Sequence, residues 1–159
     1  KYKQYIDFKP KGLWYQINNC GSRWGELEDY SWGYHIYEVK IHTKCMCIIK
    51  NYKELLAFYK KYKKVMDIDP PKKDLFHFIN WFEVSKKYCG FEIKNFESIT
   101  NIILKKKNKM TRTNPKFYLN WFDSFDFSSG CIWDLKHIKS IKYYKKYKYK
   151  KKKNKKKKK

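Results

Sequence analysis

The last eighteen residues of the chain, Lys142 to Lys159, hold thirteen lysines and no acid. Such a segment repels itself and has nothing apolar after Tyr149, so it predicts a disordered lysine-rich tail over 142–159. Any packed core is then confined to residues 1–141, which is the length of one domain. With 42% hydrophobic and 20% aromatic residues the chain can fill one core. The tail carries +13 of a formal +24, so the domain before it is basic as well. Both favour anionic partners through long-range attraction. Abundant Lys, Asn, Ile, Tyr and Phe are equally the mark of an AT-rich genome, so basicity by itself names no ligand. No run nears the roughly 18 apolar residues of a membrane-spanning helix.

Within 1–141 the apolar pattern changes period several times. Leu13–Asn18, His35–His42, Cys45–Ile49, Phe91–Lys94 and Cys131–Trp133 read as strands, with Ile138–Ile141 as an extension. Asn51 followed by Glu54 forms a helix start of the capping-box type. Leu55, Leu56, Phe58, Tyr59 and Tyr62 then supply a helical stripe. A second helix is predicted from Asp74, with Leu75, Phe78, Ile79, Phe82 and Val84 as the inward candidates, ending near Cys89-Gly90. Residues 22–34 and 105–116 read as loops. Strands and helices alternate without βαβ spacing, which predicts a single compact α+β domain with a small mixed or antiparallel sheet and two main helices.

Cys20, Cys45, Cys47, Cys89 and Cys131 are odd in number, lack a CxxC pair, and neither His35 nor His42 has zinc-finger spacing. The expectation is reduced structural cysteines, no bound metal and an intracellular location, cytoplasmic or nuclear. No secretory pattern opens the chain, and Lys1 stands where an initiator Met would, as if the sequence began inside a longer product.

No P-loop, GxGxxG, HExxH or GxSxG is present. Chemistry concentrates instead in three segments. The first is KPKGLWY over 9–15, where Gly12 precedes an aromatic strand and would bring backbone close to a ligand. The second is KYCGFEI over 87–93. The third is WFDSFDFSSGCIW over 121–133, which sets Asp123 and Asp126 among rings and offers a polar turn at Ser128-Ser129-Gly130. An acid enclosed by rings is a candidate proton acceptor.

Taken in order, these segments resemble a little-characterised family of bacteria and large DNA viruses whose members read roughly KPxGLWYS, then DGIEI, then SGCIW. The closing segment is also similar to the end of ADP-ribosyltransferase-like domains, which split NAD with a first-strand Arg or His, a middle Ser or Tyr and a last-strand Glu. The resemblance implies NAD or a related nucleotide as ligand, in an active or a degenerate member. Lys11 would hold phosphate, Gly12 would allow close approach, and Trp14 and Tyr15 would shape the nicotinamide or base pocket. Asp126 and Ser129 would lie at the reactive end, with Glu92 as the next acid. The departures are specific. Ser129 falls where the transferase Glu would stand, Lys11 replaces the Arg or His, and Cys89 replaces the Asp of DGIEI. Strand alternation admits one of Trp14 and Tyr15 to the pocket; Tyr15 is the expected one, with Trp14 in the core.

A different class of function is a non-catalytic nucleic-acid-binding protein. It would use Lys105, Lys106, Lys107, Lys109, Arg112, Lys116 and the tail, with exposed Tyr or Trp for base stacking. A structural or interaction domain without a small ligand is the third reading. Convergence of Lys11, Tyr15 and Asp126 on one concave site separates the first from the others.

Overall fold

The computed structural model of the chain describes residues 1–17, 34–66, 76–107 and 119–147. Asn51 starts the first helix as its side chain predicts. Its Oδ1 accepts from the Glu54 amide at 3.0 Å, while Glu54 reaches back to the Lys50 amide at 2.7 Å. Helix α1 (Tyr52–Tyr62) then buries Leu55, Phe58, Tyr59 and Tyr62 on one stripe. Helices α2 (Trp81–Lys87), α3 (Phe96–Lys107) and α4 (Asn120–Asp123) follow.

The central sheet has the order β2-β8-β7-β4, built from β2 (Leu13–Gln16), β4 (Met46–Ile49), β7 (Gly90–Ile93) and β8 (Ser129–Ile132). Only β4 and β7 run parallel, and the long crossover joining them carries α1 and α2. A second, antiparallel sheet has the order β1-β6-β5, from β1 (Ile6–Asp7), β5 (Lys63–Met66) and β6 (Phe76–Asn80). A two-stranded ribbon pairs β3 (Tyr34–Ile41) with β9 (Ile138–Tyr147). The chain is therefore α+β, with one mixed sheet and two antiparallel ones.

One aromatic cluster holds these layers together. Phe58, Trp81, Phe91 and Trp121 meet with ring centroids 5.0–6.2 Å apart, in tilted and edge-on contacts. Two of the buried indoles also spend their N–H groups, whereas the Trp121 Nε1 has no partner among the described residues. Trp81 donates to the Asp7 carbonyl at 3.1 Å and Trp133 to the Tyr88 carbonyl at 2.7 Å. Each bond satisfies a group that would be costly to bury alone.

Two sequence expectations change. The helix expected from Asp74 is strand β6 over 76–80 and then the short α2, because β6 is paired on both sides by β1 and β5. The cap is Asn80, whose Oδ1 accepts from the Glu83 amide at 3.2 Å. The expected boundary at 141/142 falls inside β9, which stays paired to Tyr147. Those six residues belong to the ribbon, where Lys142, Tyr143 and Tyr144 are exposed. The second main helix is α3, which also takes in Lys105, Lys106 and Lys107 from the start of the loop expected over 105–116. Of the loop expected over 22–34, Tyr34 begins β3, while 22–33 and the tail from 148 lie outside the described residues.

Candidate functional site

Register across the central sheet lines up three residues. Tyr15 on β2 stands opposite Gly130 on β8, and Gly130 stands opposite Glu92 on β7. The middle position has no side chain, so the Tyr15 ring lies flat across it. A Cβ at Gly130 would meet the Tyr15 ring carbon Cζ and the hydroxyl oxygen at 2.3 Å, which no side chain tolerates. Across that gap the Tyr15 hydroxyl donates to Glu92 Oε2 at 2.7 Å. Glu92 is buried, and its other oxygen lies 3.7 Å from Lys94 Nζ. Burial first, and the hydrogen bond to Glu92 second, push the Tyr15 hydroxyl well above the ordinary tyrosine range. Tyr15 is thus held as a neutral donor whose proton is committed to Glu92.

Beside this row opens a pocket of about 240 Å³. Lys9, Trp14, Tyr15, Asp126 and Ser129 line it, with Phe125 and Phe127 completing the wall. Three consecutive residues of β2 contribute, Gln16 being the third, so the pocket runs along the open edge of the sheet rather than over one face. Trp14 is 37% exposed and packs on Phe125 at 5.6 Å between centroids. Lys9 Nζ sits 5.6 Å from the Trp14 ring and 5.7 Å from the Phe125 ring, placing one cation over two aromatic faces. Asp126 is exposed between two phenylalanines, whereas Ser129 is buried. The neighbouring Ser128 is occupied structurally: its Oγ donates to the Lys94 carbonyl and accepts from the Phe96 amide at 3.1 Å.

Four of the residues singled out in the sequence therefore meet: Trp14, Tyr15, Asp126 and Ser129. Glu92 lies next to them through Tyr15. Lys11 and Gly12 do not join them. Lys11 donates its amide to Gln4 Oε1 at 2.9 Å and extends its Nζ over the Tyr5 ring, 4.5 Å from the centroid. Gly12 is required by the sheet, since a Cβ there would lie 2.4 Å from the Ile132 carbonyl oxygen. Lys9 occupies the cationic position instead, and the K-P-K spelling alone could not say which lysine turns inward. Trp14 departs from its expected core place, because β2 is an edge strand and leaves the ring half in water. Asp126, expected to be enclosed by rings, is open to water.

Of the basic residues expected to meet nucleic acid, Lys105, Lys106 and Lys107 end α3, with Lys106 Nζ 5.2 Å from the Tyr52 ring centroid. Lys109, Arg112 and Lys116 lie outside the described residues. The cysteine expectation is corrected. Cys45 and Cys89 precede the parallel pair Met46–Gly90, which sets their Cα atoms 5.4 Å apart, and they form a disulfide. His137 offers a ring nitrogen within 4.8 Å of both sulfurs, the one metal-like grouping among the described residues. Its two thiols are already bonded to each other. Cys47 and Cys131 are unpaired.

Comparison with protein-family models, curated proteins and solved structures finds no match.

Proposed function

We propose that this chain binds NAD or a related nucleotide in the Trp14–Asp126 pocket and acts as an ADP-ribosyltransferase-like domain. What supports the reading is the meeting of Trp14, Tyr15, Asp126 and Ser129 in one cleft, with Glu92 hydrogen-bonded behind Tyr15. Residues from two separate motifs converge on one place, Lys9 standing there in place of the expected Lys11. The chemistry of the lining fits a nucleotide. Trp14 offers a ring face for a nicotinamide or base, and Lys9 offers charge to a phosphate. At about 240 Å³ the cleft is smaller than the roughly 300–1,000 Å³ that encloses a drug-sized ligand. It takes one end of a dinucleotide and leaves the rest on open surface.

In this reading the Asp126 carboxylate faces the ribose and stabilises positive charge as the nicotinamide bond breaks. Tyr15, anchored by Glu92, fixes the ring at the other wall and keeps a lone pair toward the ligand. The test is nicotinamide release from NAD by the full chain. Asp126→Asn keeps the shape and removes the charge, so turnover should fall by 100-fold or more with the melting temperature unchanged. Retained turnover in that variant, with loss in Glu92→Gln, would move the acid to Glu92. No release and no binding would refute the reading.

A further inference from the structure

We propose that the β3–β9 ribbon is a docking surface for single-stranded nucleic acid, separate from the nucleotide pocket. Among the described residues of this ribbon none is buried. Its rings form a row: Tyr143 lies 5.7 Å from His35 on one side and 5.7 Å from Tyr37 on the other, in tilted and edge-on contacts. Rings in such contacts leave faces open. Tyr37 is 53% exposed and Tyr143 56%, with Ile141 at 54% beside them.

Charge selects the occupant. Lys40, Lys139, Lys142, Lys145 and Lys146 stand on the two strands against Glu38 alone, and β9 leads on into ten more lysines over 148–159. A second copy of this chain would bring the same excess of cations against itself. A polyanion matches it. Between polyanions, the rings decide. Unpaired bases stack on exposed tyrosine faces while phosphates meet the lysines, whereas a duplex keeps its bases stacked on one another. An anionic lipid surface would satisfy the lysines but has no planar partner for the ring row.

Fluorescence anisotropy of the full chain with labelled oligothymidylate, about 15 nucleotides long, tests this. The double variant Tyr37→Ile, Tyr143→Ile keeps β-forming, apolar side chains and removes the ring faces. It should bind the single strand at least tenfold more weakly at fixed salt, with the slope of log affinity against log salt unchanged. Duplex affinity should not move, and Tyr37→Phe, Tyr143→Phe should bind like the parent. Ultraviolet cross-linking of the unaltered chain should place the thymidine adduct on Tyr37 or Tyr143, a readout independent of how the variants fold. Unchanged single-strand affinity in the isoleucine variant overturns the proposal. So does a ring-dependent loss confined to phosphatidylserine vesicles, which would make the ribbon a lipid contact, or a ring-dependent change in sedimentation mass without nucleic acid, which would make it a self-association surface.

Discussion

Tyr15 gives up water for one partner, and the consequences are measurable at that side chain. Removing its hydroxyl with Tyr15→Phe takes the hydrogen bond from the buried Glu92 Oε2, so the fold should lose roughly 1–3 kcal/mol near neutral pH. The sign of the pH dependence follows from the raised affinity of Tyr15 for its proton. Above pH 10 the unfolded chain releases a tyrosine proton that the folded chain still holds. Folding then carries a proton penalty, and the advantage of the parent over Tyr15→Phe should shrink as pH rises through 10. Denaturant titrations of both proteins at pH 8 and pH 11 check this; an advantage that grows with pH contradicts it. Burial likewise pushes the thiols of Cys47 and Cys131 up to about 12. Only a thiolate attacks an alkylating reagent. At pH 8 under non-reducing conditions, mass spectrometry should find Cys47 and Cys131 modified only after unfolding, and Cys45 joined to Cys89. The disulfide also removes the ground on which reduced cysteines pointed to an intracellular location.

Elements carry the next level of the account. Asn51→Ala removes the acceptor for the Glu54 amide and should cost about 1 kcal/mol, read as a shift in denaturation midpoint at constant slope. Gly130→Ala drives a methyl into the Tyr15 ring and should cost roughly 1–3 kcal/mol. The same substitution in a Tyr15→Ala background should cost far less, since the ring that meets the methyl is then gone. Equal costs in the two backgrounds would mean that the ring does not cross Gly130. This local logic also explains what could be read beforehand. The capped α1 and the five short strands announce themselves, because their period and caps lie within a few residues. Strand β6 does not, because Phe78, Ile79 and Phe82 also fit a helical spacing. Pairing with β5 on one side and with β1, far off in sequence, on the other holds it extended. The same limit governed the site. Asp126 stands out among the rings, and Tyr15 and Ser129 through the family resemblance, but the choice of Lys9 over Lys11 and the bond from Tyr15 to Glu92 depend on how the chain packs in three dimensions. The signal for that bond was present in the glycine of SSGC, which only a paired strand makes meaningful.

Across the whole molecule two surfaces divide the work. A positive chain with a net charge of +24 draws in anionic ligands from every side, so charge alone cannot discriminate between them. In the proposed reading discrimination belongs to shape: a cleft at the β2 edge of the central sheet would take one nucleotide, and the exposed ring row on the ribbon would take a strand of bases. The two should be separable, with substitutions on the ribbon leaving the cleft intact. Isothermal titration calorimetry of the full chain with NAD tests the central claim most directly. Saturable binding near one site per chain is predicted, weakened at least tenfold by Trp14→Leu, which keeps the apolar bulk but removes the indole face, and unchanged by Tyr37→Ile. Absence of saturable binding, or equal affinity in the Trp14→Leu protein, would contradict the assignment of the cleft.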